Sequence, residues 1–258
     1  MQSRAQRSIA FLALVLILVS LACATFQPTP PSTSTIEPTA TITATPTNTP
    51  RPSPTLRPTR TPNLQATQHA NELSAEVESY YERGYLSTTE GEFTEFETFR
   101  YEWAQLGWYN WLPLPDSASD FFLSAHFRWD SASETSNVSG CGFIFGLQPN
   151  NDHYAVFLDR MQVYFLITDH ELGYSRPVSP TRGTGRVEFE YPAEADFTLI
   201  VRGAYAYVLA NGENVGEYTL SQSRALHGKL GLTVLSGTNR DYGTRCEMTN
   251  LHLWIPKK

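Results

Sequence analysis

From residue 85 onward, apolar and polar side chains alternate with a period of two, the pattern of β-strands that have one buried face. The clearest segment is 121–129, in which every second residue is aromatic or aliphatic. In segment 141–147, Cys141 and Leu147 fall on the same predicted face as the two intervening phenylalanines. Further short strands are predicted at about 153–159, 161–168, 186–191, 196–202, 205–210, 215–220, 229–235 and 245–255.

Turn signals separate these strands. The segments 149–152 and 182–185 are rich in glycine, asparagine and proline, and Asn211-Gly212 is a typical hairpin pair. Many short strands about 8–12 residues apart, with no helical pattern between them, are typical of an antiparallel sandwich or jelly roll. We therefore predict an all-β fold, an antiparallel β-sandwich domain over 85–258.

Before the strands the apolar spacing changes to three and four. Ala66, Ala70, Leu73 and Val77 follow this spacing, which indicates one amphipathic helix over about 64–83. Asn63 is a suitable N-cap and Gly84 a suitable terminator. The segment 63–84 is predicted to connect the sandwich to what precedes it.

The segment 24–62 has a different composition. Between Pro28 and Pro62 it holds 12 threonines, 10 prolines and 3 serines. Such a segment buries too little apolar surface to offset its ordering entropy, and proline favours extended polyproline II. We expect a disordered Thr/Pro-rich stalk.

The first 23 residues are predicted to be an export signal: Arg4 and Arg7 precede the apolar run 9–21, followed by Ala22-Cys23-Ala24. The signal leaves three outcomes open. Ser20-Leu21-Ala22-Cys23 resembles a lipobox, which would make Cys23 the lipidated first residue. Cleavage at an A-x-A site would release a secreted protein, and an uncleaved signal would remain as a membrane anchor.

Three cysteines favour the lipoprotein interpretation. Cys141 and Cys246 lie inside the sandwich, and in an oxidising compartment such a pair is expected to form a disulfide. Cys23 is then the unpaired one, at the position where lipidation would use it. Every outcome places the domain outside the cytoplasm, held at the membrane by a lipid or an anchor unless the chain is released.

Charge limits the partners. Removing the five basic residues and one acidic residue of the first 62 from the totals of 19 and 26 leaves 14 basic and 25 acidic residues. A domain with a net charge of −11 is repelled by phosphate backbones, so nucleic acid is excluded as a predicted partner. A glycan or a surface protein is expected instead.

The succession of strand sequences resembles the concanavalin A-like lectin/glucanase superfamily, especially its laminin-G-like and bacterial sugar-hydrolase-like branches. The resemblance covers about 85–256 and implies two curved, packed sheets that hold ligands on a concave face or at loop rims. It is carried by segments 120–125, 141–145, 152–156, 197–202, 207–212, 228–232 and 251–254, together with Cys246.

No catalytic residue is predicted. Glucanases of that superfamily carry a Glu-x-Asp-x-x-Glu strand, which this chain lacks; the acidic segments 188–190 and 194–196 are expected in a solvated hairpin. The chain also has no G-x-S-x-G elbow and no histidines at metal-ligand spacing, so no metal or cofactor is predicted. Asn150, Asn151 and Asp152 offer oxygen ligands for calcium, but we interpret them first as a turn.

Binding remains as the expected function. Trp108, Tyr109 and Trp111 lie in a dense aromatic segment, and flat aromatic rings stack on sugar rings. In a strand, Tyr109 and Trp111 would share one face and Trp108 the other. His126 and Arg128 are a second candidate pair, on the polar face of their strand. The leading hypothesis is a tethered, non-catalytic carbohydrate-binding module; the alternatives are a protein-interaction or structural envelope module and a glycoside hydrolase.

Overall fold

The computed structural model describes residues 64–134, 138–221 and 225–257. The predicted export signal with Cys23 and the predicted stalk 24–62 lie outside the described residues. No helix within the described ranges has the length and apolar character needed to span a bilayer.

Helix α1 (Leu64–Glu82) confirms the predicted amphipathic helix. Leu73, Val77 and Tyr80 are buried, at the spacing of four and three that places side chains on one helix face. The helix ends where Gly84 adopts a positive φ of 76°, which lets the N–H of Tyr85 reach the carbonyl of Tyr80 at 2.9 Å.

Two antiparallel sheets confirm the predicted antiparallel β-sandwich. The eight-stranded sheet runs β1-β14-β4-β10-β11-β12-β9, with β2 also paired to β14, and the six-stranded sheet runs β3-β13-β5-β6-β7-β8. The strands are β1 (Gly91–Glu95), β2 (Phe99–Trp103), β3 (Trp108–Ala118), β4 (Phe121–Ser131), β5 (Gly140–Leu147), β6 (His153–Asp159), β7 (Val163–Asp169), β8 (Tyr174–Pro177), β9 (Arg182–Gly183), β10 (Ala193–Arg202), β11 (Tyr205–Ala210), β12 (Glu213–Thr219), β13 (Gly228–Ser236) and β14 (Thr244–Pro256).

The prediction of a strand at 186–191 is wrong. The N–H groups of Val187 and Phe189 bond to the carbonyls of Met161 and Arg160, in a loop, so they are not available to a sheet ladder. The acidic segment 194–196 lies within β10 and not in a hairpin, with Glu194 and Asp196 exposed. Strands β1, β2, β3, β8 and β9 are absent from the predicted strands. All five carry few buried apolar residues, and all but β3 are short.

The core lies between the inner faces of the two sheets. The alternation predicted in β4 is confirmed: the five apolar residues at every second position, Phe121, Leu123, Ala125, Phe127 and Trp129, point into this core. Leu147 does not join Phe143 and Phe145 there and packs on the opposite face. The reason is Gly146, whose positive φ of 63° and the register shift against β13 break the two-residue period.

The predicted disulfide between Cys141 and Cys246 is confirmed. It joins β5 of the six-stranded sheet to β14 of the eight-stranded sheet, with the two Cα atoms 5.7 Å apart and a sequence separation of 105. Closing a loop of this length restricts the unfolded chain and contributes about 4–5 kcal/mol in the chain-entropy model.

The outer faces of the two sheets differ. On the eight-stranded sheet, α1 covers Phe122, Ile200 and Trp254; we call this the covered face. On the six-stranded sheet, an outer cluster includes Ile144, Phe157, Leu166 and Leu235, and no described helix packs on it. We call this second surface the open face.

Candidate ligand-binding groove

A cavity of about 540 Å³ lies on the open face, and we call it the aromatic groove. Strand β3 contributes Tyr109 and Trp111, β6 contributes His153, and β7 contributes Thr168. These residues point the same way because each occupies an outward position of its strand, where successive side chains alternate.

Small residues at the centre of the sheet bring these side chains together. Trp111 pairs with Thr233 of β13, Thr233 with Gly142 of β5, and Gly142 with Phe157 of β6. A Cβ atom at residue 142 would lie 2.9 Å from a ring carbon of Phe157 and 2.1 Å from the carbonyl oxygen of Val156. Because Gly142 has no side chain, the space above it stays open, and the rings from β3 and β6 meet there.

The rings in the groove pack at fixed angles. The Trp111 ring lies 5.0 Å from that of His153 and 5.8 Å from that of Tyr109, tilted by 46° and 43°. Tyr109 also meets Phe157 edge to face at 5.2 Å. Trp111 is half-buried, so part of its ring faces the groove while neighbouring rings hold it in place.

A chain of hydrogen bonds runs along the floor. His153 Nδ1 lies 2.7 Å from the carbonyl oxygen of Asn151, so Nδ1 donates and, in the neutral ring, Nε2 accepts. The Tyr109 hydroxyl then donates to Nε2 at 2.8 Å, and Thr168 donates to Tyr109 at 2.7 Å. Ser175 donates to Thr168 at 2.9 Å, since the single proton of Thr168 is already engaged.

Burial raises the pKa of the Tyr109 phenol above its ordinary value of 10.0, against the opposing effect of the hydrogen bond with Thr168. The hydroxyl therefore stays protonated at neutral pH and keeps donating to His153. This polar chain fixes the orientation of the Tyr109 ring, and with it the packing of Trp111.

Two exposed aromatic residues lie at opposite rims of the groove. Trp108, at the start of β3, is 63% exposed, and Tyr174, at the start of β8, is 47% exposed. The Trp108 carbonyl accepts a hydrogen bond from the Trp103 indole at 3.2 Å. Three of the residues predicted from sequence, Trp108, Tyr109 and Trp111, therefore line one groove.

The other two predicted residues lie elsewhere. His126 and Arg128 are on β4, on the outer side of the eight-stranded sheet, and each faces a carboxylate of β10. His126 Nδ1 lies 2.9 Å from Asp196, and Arg128 Nε lies 3.2 Å from Glu194. The structure places this pair on a different sheet from the aromatic groove.

His153, Thr168, Ser175 and Tyr174 were missed in the sequence. They lie on β6, β7 and β8, and no local motif links them to β3.

The oxygens of the turn at 150–152, which were considered as calcium ligands, accept hydrogen bonds from backbone N–H groups. Asn150 Oδ1 accepts from the N–H of Asp152 at 3.2 Å. Asp152 Oδ1 accepts from the N–H of His170 at 2.8 Å. No cluster of three metal-ligating side chains occurs among residues 64–134, 138–221 and 225–257.

A second cavity, of about 660 Å³, adjoins the groove, and we call it the polar depression. Its lining includes Gln148, Asn150, Asp152 and Arg176. The two cavities have three lining residues in common, and so they meet along one boundary. The common residues are His153, Asp169 and Tyr174.

No protein-family model matches the chain, and no curated protein matches it. Solved structures that resemble it include the carbohydrate-binding module CBM66 of Bacillus subtilis, with 11% identity over 62% of this chain and 92% of that one, at a TM-score of 0.45. A fructosyltransferase from A. japonicus shares 16% identity at a TM-score of 0.42; the match spans 65% of this chain and only 27% of that enzyme. A β-glucanase of Bacillus licheniformis shares 10% identity over 56% and 69% of the chains, at a TM-score of 0.39. Similarity at this level identifies neither a ligand nor an activity.

Proposed function

We propose that this chain is a surface-tethered, extracytoplasmic carbohydrate-binding module, and that the aromatic groove is its binding site. The observation that carries the proposal is the pairing of half-exposed aromatic rings with a fixed chain of hydroxyl groups in one cavity. The rings of Trp108, Trp111 and Tyr174 border it, and the hydroxyls of Thr168 and Ser175 line it.

Sugars need this combination. One face of a pyranose ring presents C–H groups that pack on an aromatic ring, while its hydroxyls need partners of defined direction. Trp111 is held by Tyr109 and His153, so its ring keeps its orientation before a ligand arrives. A preorganised site of this kind loses less side-chain entropy on binding.

The chemistry of the groove supports binding without catalysis. Retaining glycosidases need two carboxyl groups about 5–5.5 Å apart across the scissile bond. Among the described residues that line the aromatic groove, Asp169 carries the one carboxylate, and its Oδ1 accepts a hydrogen bond from the N–H of Leu172 at 3.0 Å.

The tether is part of the proposal. An export signal ending at Cys23, followed by the Thr/Pro-rich segment 24–62, would hold the domain away from the membrane. The disulfide Cys141–Cys246 supports an oxidising compartment outside the cytoplasm.

The test is affinity electrophoresis of the full chain in gels that contain soluble β-1,3-glucan, β-1,4-glucan, xylan, mannan, galactan or polygalacturonate. We expect retardation by at least one neutral polysaccharide, lost in Trp111→Ala. Tyr205→Ala is the matched control, because Tyr205 is an exposed aromatic residue on the other sheet. Retardation that persists in Trp111→Ala, or no retardation at all, would overturn the proposal.

A protein-interaction module is the second candidate, favoured by one observation. Leu106, Trp108 and Leu112 are 54%, 63% and 56% exposed around β3, which is an edge strand of the six-stranded sheet. Exposed apolar side chains on an edge are typical of protein contacts. Leu112→Ser would weaken such contacts and leave polysaccharide binding unchanged.

A further inference from the structure

We propose that α1 is a helix that docks reversibly on the sandwich, and that the ion pair between His252 and Glu76 controls this docking. The helix is held while His252 carries a charge and opens locally, with the sandwich still folded, as rising pH removes that charge. This conformational step lies on the covered face and is independent of the proposed glycan binding.

A β-bulge in β14 places His252 beneath α1. Met248 and Leu253 both point into the core between the sheets, although they are an odd number of residues apart. The register against β4 shifts between Thr249 and His252, where Asn250 has a positive φ of 51°. The extra residue inverts the alternation, so His252 points to the covered face, where its ring lies 5.9 Å from that of Phe122.

Both ring nitrogens of His252 face oxygens that only accept. Nδ1 lies 2.9 Å from the carbonyl oxygen of Asn250, and Nε2 lies 2.7 Å from the carboxylate of Glu76. The imidazolium ion donates from both nitrogens, whereas the neutral ring has one proton and leaves one of these oxygens facing a lone pair. This arrangement therefore requires the charged form of His252.

The partner on α1 also depends on that charge. The side chains of His252 and Glu76 are only 13% and 22% exposed, so water screens the pair weakly. The second carboxylate oxygen of Glu76 accepts from the Tyr80 hydroxyl at 2.8 Å. Neutralising His252 leaves this carboxylate largely buried with no cation beside it, which is costly. Movement of α1 away from the sheet returns Glu76 to water.

A cavity of about 570 Å³ beside the pair gives water access to it. The cavity is lined by α1, the segment 95–98 and β14. Besides the pair itself, its titratable groups are His69, Glu72, Glu95 and Glu97. His69 lies 2.8 Å from Glu95 and 3.9 Å from Glu72, and all three side chains are more than half exposed. These carboxylates also favour a positive charge on His252.

The packing of α1 is separate from the core of the sandwich. Val77 and Tyr80 belong to the cluster on the covered face. The described residues that fill the core between the sheets all come from the sandwich itself. Undocking of α1 therefore opens the covered face without opening that core, so α1 can exchange as a separate cooperative unit.

Hydrogen–deuterium exchange of the full chain, corrected for the intrinsic effect of pH on exchange, tests the proposal. Between about pH 5 and 9, the protection of α1 amides should fall about tenfold or more, because one buried charge-assisted hydrogen bond is lost. Protection of β4 and β10 should stay within about twofold, since the sandwich remains folded. Equal losses in α1 and the sandwich, or no loss in α1, would overturn the proposal.

Two variants assign the effect to the pair. His252→Gln removes the titrating group, so its α1 protection should not change with pH. Glu76→Gln offers an amide N–H to the neutral ring while its oxygen still accepts from Tyr80, so α1 should stay protected at alkaline pH. His69→Gln is the matched control, because its exposed pair contributes little, and it should behave as the wild type.

The amides of β4 and β10 show in the same samples whether each variant is folded, and either folded variant decides. A wild-type loss of α1 protection in His252→Gln, or the same loss in Glu76→Gln, would overturn control by the pair. Abolition of the pH response by His69→Gln would contradict it as well, because control would then lie with His69.

Discussion

The covered face and the open face begin from similar chemistry and end differently. Each carries a cluster of aromatic and aliphatic residues on the outside of a sheet, around Phe122 on one and around Phe157 on the other. On the covered face, α1 supplies Val77 and Tyr80, which complete the burial. On the open face the described chain supplies no such element, and the rings remain accessible.

Their polar groups differ in the same way. Beneath α1, the Tyr80 hydroxyl donates to Glu76 at 2.8 Å and lies 3.2 Å from Thr198, so the network closes within the protein. On the open face, the chain from His153 ends at the exposed hydroxyl of Ser175. We interpret a sheet face whose polar groups are all satisfied within the protein as serving stability. A face whose network ends at an exposed hydroxyl leaves that group for a ligand.

The largest expected effect is on the covered face. Phe122 is fully buried and stacks on Trp254 at 5.7 Å, with Tyr80 edge-on at 5.2 Å. Phe122→Ala should lower the free energy of unfolding by about 3–5 kcal/mol, because a buried cavity is created. Urea unfolding measures this, and polysaccharide binding below the transition should be unchanged. A loss under about 1 kcal/mol would show that α1 does not stabilise this face.

On the open face, a substitution should affect ligand binding more than the free energy of unfolding. Trp111→Ala should weaken polysaccharide binding by about 10- to 100-fold, a loss of about 1.4–2.8 kcal/mol. Its cost in unfolding free energy should stay below that of Phe122→Ala, since Trp111 is only half-buried. Titration calorimetry and urea unfolding on the same sample give both quantities, and a variant that loses stability but keeps binding would break the comparison.

The docking of α1 should depend on pH. Burial lowers the pKa of His252, but its hydrogen bond to Glu76 at 2.7 Å and the charge of that carboxylate raise it more, so the pKa lies above 6.5. The carbonyl of Asn250 and the carboxylate of Glu95 act in the same upward direction.

Since the folded pKa is above the unfolded one, this stabilisation is complete below about pH 6.5 and is lost as pH rises through the folded value. Unfolding free energies of the wild type and His252→Gln between about pH 5 and 9 should converge at the alkaline end. His69→Gln is the control: the His69 side chain is 52% exposed, and its pair with Glu95 should matter little. A constant difference across the range would contradict the expectation.

The smallest effect is expected at the exposed pairs of β4. The side chains of His126 and Arg128 are 38% and 57% exposed, and each lies against an exposed carboxylate. Exposed pairs contribute about 0–1 kcal/mol, so His126→Ala and Arg128→Ala should change the unfolding free energy within that range. Neither should alter polysaccharide binding. A binding defect in either variant would move the site to the eight-stranded sheet.

The parts of the fold that follow local periodicity were predictable. Alternation in β4 identified its core face, and Asn211-Gly212 identified the β11–β12 hairpin, where both residues have positive φ. The pairing of Cys141 with Cys246 followed from the predicted export to an oxidising compartment and from the presence of only two cysteines in the sandwich domain. The failures lie where neighbours in space override the local pattern, as at Leu147, whose face is set by Gly146 and the register against β13.

The groove was predictable only from its β3 side. Trp108, Tyr109 and Trp111 stand together in the sequence, whereas the Tyr109 hydroxyl meets His153 and Thr168, which are 44 and 59 residues away. The order of strands in the sheet decides which side chains lie near those of β3, and no local motif encodes that order. His126 and Arg128 looked equivalent to the aromatic residues because a single sequence does not show which outer face a helix covers.

The central claim is that the open face binds a glycan while the covered face is closed. Of the five tryptophans, Trp108 and Trp111 lie at the groove and Trp254 on the covered face, while Trp129 lies in the core and Trp103 packs against it. We would follow their indole N–H signals by nuclear magnetic resonance during titration with neutral hexasaccharides. The signals of Trp108 and Trp111 should shift and saturate while those of Trp129 and Trp254 stay fixed. Saturating shifts at Trp254 with none at Trp111 would contradict the claim.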